Sequence, residues 1–409
     1  HIDSIILPLA ISFFTFQQIA YLVDSYQGIT KEYSFLHYAL FVSFFPQLIA
    51  GPIVHHKEML PQFSQVKRYK ISMNNIQIGL SIFALGLFKK TVLADGIAEY
   101  ATPIFLLAET GEKLDFFSSW GGALAYTFQL YFDFSGYSDM AIGLARLFGI
   151  ILPLNFYSPY KSTNIVEFWR RWHITLSQFL RDYLYIALGG NRKGNLRRHF
   201  NLFITMLLGG LWHGAGWNFI IWGALHGGYL IINHGWQSLI KQHKIINSKY
   251  YLFAAWLVTF IAVVIGWVFF RATSIDSAIN MLHGMFGING FALPSGILNR
   301  LGTMNEVIQS IGIKSESSSG SLFILTWCWN ISLLFAVIML PNVQDLFCKV
   351  KGSLNQHSFQ INNTFWPAIG FFKNKPWNNS ISWAILTGIA LAMGMLTLSQ
   401  VSEFLYFQF

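Results

Sequence analysis

Apolar runs near bilayer length recur along this chain, separated by polar stretches. They lie at about 4–23, 36–54, 75–94, 119–143, 202–233, 250–270, 322–341 and 382–399. Each is close to the roughly 20 residues that a membrane-spanning helix needs. The pattern predicts an all-α, polytopic bundle of about eight or more membrane helices, forming one membrane domain over 1–409. The 202–233 run is too long for one crossing and is interrupted by Gly209, Gly210, Gly214 and Gly216. A kinked span and two shorter helices around a cavity are both open, since non-helical backbone at membrane depth survives only where protein or water covers it. Segments 286–320 and 351–380 are polar and read as connections between spans.

One segment has a different period. Over 164–187, Glu167, Arg170, Arg171, Gln178, Arg181 and Asp182 fall on one helical face, and Trp169, Trp172, Leu176, Phe179, Leu180 and Tyr183 on the other. This predicts an amphipathic helix lying at the membrane interface or beneath the bundle. Asn164 is its N-cap, with Glu167 three residues on as in a capping box. His173 projects toward the apolar side, beside Trp169, Leu176 and Leu180.

Composition supports a membrane protein: 54% of residues are hydrophobic and 11% charged, against about 25% charged in soluble domains. The formal net charge is +9. Its densest block, Lys161, Arg170, Arg171, Arg181, Arg192, Lys193, Arg197 and Arg198, reads as cytoplasmic by the positive-inside rule. Lys67, Arg68 and Lys70 mark a second such loop. No basic stripe on a soluble domain points to nucleic acid. Two cysteines, Cys328 and Cys348, form neither a CxxC pair nor a disulfide framework. The chain enters an apolar run directly from His1, without the basic start or cleavage site of a signal peptide, and reads as a fragment lacking its N-terminus.

The candidate chemistry centres on His213, in the run Gly209-Gly210-Leu211-Trp212-His213-Gly214-Ala215-Gly216-Trp217-Asn218. An ionisable group in so apolar a segment is expensive and points to function; a core histidine satisfied by one hydrogen bond is the alternative. His226 follows 13 residues later, about 20 Å and about 220° away on one ideal helix. The two cannot share a metal unless the glycines fold the segment back, and HExxH spacing is absent, so no metal is expected. Ser135, in the run 131–139 with Asp133 and Tyr137, lacks the GxSxG context of a nucleophile; hydrogen bonding to neighbouring helices accounts for that run equally well. A neutral imidazole at His213 can act as a general base on a hydroxyl. The basic, Gly-rich turn Gly189-Gly190-Asn191-Arg192-Lys193-Gly194 can bind phosphates through Arg, Lys and backbone N–H groups, or be an ordinary positive-inside loop.

Several of these runs resemble the membrane-bound O-acyltransferases, in particular the alginate O-acetyltransferase AlgI-like branch. They are 168–177 (Phe-Trp-Arg-Arg-Trp-His-Ile-Thr-Leu-Ser), 181–185, 189–192 and 209–214. The runs 7–14, 44–53, 131–139, 266–271 and 402–407 match that branch too, in the right order. The resemblance implies a multi-helix membrane fold with a central tunnel, entered by acetyl-CoA from the cytoplasm and by the acceptor from the other side. It maps the family's membrane histidine onto His213 and its second histidine onto His173. It implies a donor side shaped by Trp172, Arg181, Asp182 and Tyr183, with Asn191, Arg192 and Lys193 steering the coenzyme. Asp133, Ser135, Tyr137, Trp212 and Asn218 are candidate tunnel-lining residues. It further implies a bacterial inner-membrane protein that acetylates an exopolysaccharide such as alginate, or hands acetyl to a periplasmic SGNH-type acetyltransferase partner, with further helices upstream of the 7–14 run. Two rival readings remain. One is a transporter using intramembrane His and Asp groups, which would favour inverted repeats that the sequence lacks. The other is a non-catalytic scaffold for a periplasmic acetyltransferase.

Overall fold

The computed structural model describes residues 11–30, 34–48, 51–65, 70–240, 243, 246, 248–316, 319–348, 366 and 376–399. The motif residues 7–10, Lys67, Arg68 and the 402–407 run lie outside the described residues. The first part of the chain contains α1 (Ile11–Tyr26), α2 (Phe35–Ser43), α3 (Phe45–Leu48), α4 (His56–Phe63) and α5 (Met73–Phe88). A π-helical turn, Lys89–Ala94, joins α5 to α6 (Asp95–Glu109), and α7 (Phe116–Leu147) follows. Then come α8 (Ile165–Arg171), α9 (Ile174–Phe179), a second π-turn (Leu180–Tyr185), α10 (Gly194–His213), α11 (Trp217–Ile240) and α12 (Lys249–Arg271). The last part holds α13 (Ile275–Met285), α14 (Ser295–Leu298), α15 (Met304–Ser310), α16 (Gly320–Met339), α17 (Val343–Leu346) and α18 (Ile381–Leu396).

Among the described residues, three helical stretches are both long and apolar enough to cross a membrane: Met73–Glu109, Lys249–Arg271 and Gly320–Met339. The predicted runs at 119–143 and 202–233 fall on α7, α10 and α11, of 32, 20 and 24 residues. These match bilayer length, but their apolar character is diluted by polar residues. The 36–54 run is no single helix: α2 and α3 are separated at Phe44, and residues 51–55 are not helical. The 202–233 run resolves into two helices with a break at 214–216. The 286–320 connection contains α14, α15 and two short parallel strands, β1 (Phe291–Pro294) and β2 (Ile313–Glu316), paired Phe291 to Ile313.

The predicted amphipathic helix at 164–187 is broken. Asn164 caps α8 as expected, its Oδ1 accepting from the Glu167 N–H at 2.9 Å. Glu167 returns to the Thr163 N–H rather than to that of Asn164. The helix stops at Trp172, and His173 takes a left-handed conformation with φ 41°. Nor is the whole charged face exposed: Arg170, Arg181 and Asp182 are, but Arg171 is not. Arg171 is fully buried, with Nε and Nη2 on Glu167 Oε1 at 3.1 and 2.8 Å and Nη1 on the Tyr157 carbonyl at 3.3 Å. An Arg provided with that many acceptors can be buried where its helical period predicts exposure.

Helix α7 is the central post, packed by α5, α6, α12, α13 and α16. Its contact with α5 is close at Gly86 and Gly136: a Cβ on Gly86 would stand 2.8 Å from the Gly136 carbonyl, and one on Gly136 the same distance from the Gly86 carbonyl. Only glycine permits backbones to approach so nearly. Two lysines of the adjoining π-turn secure the same contact. Lys90 is buried, with Nζ 2.5 Å from Asp133 and 2.6 Å from Asp95. Lys89 meets Asp139 at 2.6 Å, and the Gln344 amide donates to the other Asp139 oxygen at 3.0 Å.

Removing one member of this buried network leaves uncompensated charge. Lys90→Met is expected to destabilise the chain by about 3–5 kcal/mol, read as a lower Tm in detergent. Adding Asp133→Asn and Asp95→Asn to Lys90→Met should restore most of the loss. Equal melting of wild type and Lys90→Met would disprove the role given to the network.

Candidate functional site

His213 is the last residue of α10. The chain turns through 214–216 into α11, and the two helices return side by side. They touch at Gly210 and Gly223. A Cβ at Gly210 would overlap the Phe219 carbonyl, and one at Gly223 the Met206 carbonyl. The buried imidazole is walled by three rings, with centroids at 4.7 Å for Trp212, 5.2 Å for Trp222 and 5.0 Å for Phe270. Phe270 comes from the end of α12. Asn218, at the start of α11, is buried and donates to the Ala272 carbonyl at 2.5 Å. That bond ties the end of α12 to the helix that follows His213. Trp212 stacks on Phe16 of α1 at 4.8 Å.

His173, the second predicted histidine, is buried. Its backbone break lets its ring meet Asn155, from the irregular segment before α8. Asn155 Oδ1 takes three contacts: the His173 Nδ1 at 3.1 Å, the Thr175 hydroxyl at 3.0 Å and the Thr175 backbone N–H at 3.4 Å. A backbone N–H can only donate, so this atom is the amide oxygen, and the Asn155 amide nitrogen donates to Ser138 at 3.1 Å. An oxygen that only accepts requires the proton of His173 to sit on Nδ1, so that Nε2 is the acceptor nitrogen of the neutral ring. Asn155 also fixes the chain itself, since its carbonyl accepts from the Ile174 N–H at 2.9 Å. Thr175 extends the pin to the Ile53 N–H at 3.0 Å.

Helices α10 and α11 do fold back on each other, and Trp222 packs against both imidazoles, 5.2 Å from His213 and 4.8 Å from His226. A different cluster has ligand-type atoms together among the described residues: Asp24, His55 and His56, within 4.8 Å of one another. Asp24 Oδ2 there meets His56 Nε2 at 2.9 Å, His55 Nε2 at 3.1 Å and Lys57 Nζ at 3.0 Å. The ammonium on the same oxygen makes this an ion-pair knot. Burial holds the His55 imidazole down at about 4, so near neutral pH the charge facing Asp24 is that of Lys57. Tyr183 joins through its hydroxyl, 2.6 Å from His55 Nε2 and 3.1 Å from Asp24 Oδ1. The knot fastens α1 and α4 to the π-turn at 180–185.

The other predicted residues separate into groups. Trp172 is a core residue, packed on Phe156 at 5.1 Å and Trp267 at 4.8 Å. Arg181 and Asp182 are exposed and pair with each other at 2.7 Å. Asn191, Arg192 and Lys193 are exposed on the turn entering α10. Asp133 and Tyr137 belong to the α7 ion network, the Tyr137 ring facing Lys90 at 5.5 Å. Ser135 is buried on the same helix. The sequence reading missed Asn155, Trp222, Phe270 and the Asp24 knot. Trp222 carried a signal in its nearness to His213 along the chain, Phe270 in the family-like run 266–271, and the knot in Tyr183 alone; Asn155 carried none.

The profile of the membrane-bound O-acyltransferase family matches residues 8–278. A peptidoglycan O-acetyltransferase from Helicobacter pylori is 50% identical over 314 residues, covering 71% of this chain and 58% of that protein. A probable alginate O-acetylase AlgI from Pseudomonas aeruginosa is 46% identical over 299 residues, 72% of this chain and 54% of that one. A teichoic acid D-alanyltransferase from Streptococcus thermophilus is 31% identical over 255 residues, 60% of each. The chain thus spans a little over half the length of the first two relatives. The buried histidines at 173 and 213 and the rings around His213 lie inside the matched region, and the chain belongs to the membrane-bound O-acyltransferase family.

Proposed function

We propose that this chain is the acyl-transfer unit of a bacterial inner-membrane O-acetyltransferase. It moves acetyl from acetyl-CoA to a hydroxyl of an exopolysaccharide, or to a periplasmic SGNH-type partner that completes the transfer. The observation that carries this reading is the presence of two buried histidines inside the family match, one ringed by Trp212, Trp222 and Phe270, the other bonded to Asn155.

In this mechanism His213 is the general base. It takes the acceptor hydroxyl's proton while the oxygen attacks the thioester carbonyl. A C–O bond forms, the carbonyl pair moves onto oxygen, and the intermediate collapses by breaking the C–S bond. The departing thiolate recovers the proton from His213, so no charge accumulates. The neutral His173, with its Nδ1–H on Asn155, stabilises the imidazolium formed on His213. The aromatic walls exclude water, which strengthens these interactions and limits hydrolysis of the thioester.

Acetyl-CoA is anionic. Arg192 and Lys193 are exposed at the start of the 20-residue α10, where basic side chains and free backbone N–H groups suit phosphates. Asn191 extends that turn, and Arg181, Asp182 and Tyr183 border the same side. The acceptor tunnel is assigned to the His213 end, with Trp212 and Asn218 at its wall.

With labelled acetyl-CoA and membranes containing equal amounts of folded protein, His213→Ala is expected to lower acetyl transfer by about 10²–10⁴-fold. Wild-type transfer by this variant would refute the base and favour a scaffold. Solute flux without coenzyme turnover would favour a transporter.

Asn155 is a positioning residue in the same scheme. Asn155→Ala is expected to lower kcat at least about tenfold by freeing the tautomer, with little change in KM for acetyl-CoA. Asn155→Asp still accepts from Nδ1–H and should recover part of kcat. Equal kcat losses in both variants, tracking their melting temperatures, would reduce Asn155 to a structural role.

A further inference from the structure

A recess of about 1020 Å³ runs between α11 and α12 at the end of the bundle that carries the basic block. Among the described residues its walls include Tyr229, Asn233 and Trp236 from α11, Ala255 and Ala262 from α12, and Arg198 from α10. Three features define what it can hold.

The rims are apolar and open sideways. Ile232 and Val258 line the recess and are 69% and 67% exposed. In a membrane-embedded chain, side chains of this kind face hydrocarbon, so the recess is entered from the bilayer rather than from water. Its two ends differ in chemistry. Toward one end Trp236 Nε1 donates to the Tyr251 hydroxyl at 3.1 Å, and Tyr250 is almost fully exposed. Trp and Tyr concentrate at headgroup depth, so this end lies at the interface. From there the wall runs over Ala255, Val258 and Ala262, a slot about 10 Å long between the two alanines, given 1.5 Å per helical residue.

Among the described residues, the polar end also holds a donor and an acceptor that lack hydrogen-bond partners. Arg198 Nε and Asn233 Oδ1 are both buried without a hydrogen bond. Among the described residues, a terminal nitrogen of Arg198 meets the neighbouring His199 at 3.3 Å. A buried guanidinium N–H calls for an anionic oxygen, and a buried amide oxygen calls for a hydroxyl or N–H donor. One headgroup with a phosphate and a hydroxyl satisfies both.

We propose that this recess is a binding site for an anionic phospholipid with a hydroxylated headgroup, phosphatidylglycerol in chemistry. The phosphate sits on Arg198, the headgroup hydroxyl donates to Asn233, and one acyl chain lies along Ala255, Val258 and Ala262. Basic pockets between membrane helices recognise acidic lipids by this combination of charge and depth. The site is separate from the His213 pocket and does not rest on the acetyl-transfer reading.

The test is native mass spectrometry of the whole chain in detergent, supplied separately with phosphatidylglycerol, phosphatidylethanolamine and phosphatidylcholine. The wild type is expected to retain one phosphatidylglycerol and to release phosphatidylcholine about tenfold more readily. Arg198→Gln should weaken phosphatidylglycerol retention about tenfold. Ala255→Trp, which fills the slot, should abolish retention, with melting temperature in detergent confirming that both variants fold. Equal retention of the three lipids by the wild type would overturn the proposal. So would unchanged retention by Arg198→Gln and Ala255→Trp, or competitive displacement of the lipid by acetyl-CoA.

Discussion

A polar group carried into an apolar bundle must find its partner within the chain, because hydrocarbon offers none. That constraint governs the docking of the helices. Lys89 and Lys90 hold the π-turn between α5 and α6 against α7 through Asp139, Asp133 and Asp95. Arg171 can be fully buried because Glu167 lies one turn behind it and the Tyr157 carbonyl lies beside it. The Asp24 knot binds α1 and α4 to the π-turn that leads toward the basic loop. Each link also fixes a helix position, since a buried charge cannot slide away from its partner without losing several kcal/mol.

The histidine site applies the same constraint with higher geometric demand. His213 owes its position to the glycine contact of α10 with α11, which sets it opposite Phe270 and beside Trp222. Asn218 then closes the corner by anchoring to the end of α12. His173 is positioned by a hydrogen bond from a segment without regular structure. One histidine is therefore placed by packing and the other by polar contacts. Both rings are held by contacts that the fold makes between separate segments of the chain.

Much of this was legible in the sequence where the signal is local. The apolar runs at 75–94, 250–270 and 322–341 fall on helices suited to crossing a membrane, and Asn164 caps α8 as its position predicts. His213 was visible because a histidine among glycines and aromatics is costly at membrane depth. The break at 172–173 was not visible, since the 3.6-residue period continues across it. No periodicity announces that Arg171 will be buried, because its acceptors include the carbonyl of Tyr157, outside the helix. Asn155 was equally silent: its importance arises only once the chain brings Thr175 and His173 onto one oxygen.

That break is what makes the polar pin possible. On an uninterrupted helix through 164–187, the His173 N–H and C=O would be spent on its own helix, and its side chain would follow the Trp169 and Leu176 stripe. The left-handed residue ends that direction after Trp172 and begins a new one at Ile174. The Ile174 N–H, released from any helical partner, is satisfied by the Asn155 carbonyl, while the Asn155 side chain takes the imidazole. A non-glycine residue in that region carries strain of order 1–3 kcal/mol. It persists because the surrounding bonds over-determine it. The strained residue is also the one whose ring bonds Asn155, so the cost of the break and the fixing of that ring have the same origin.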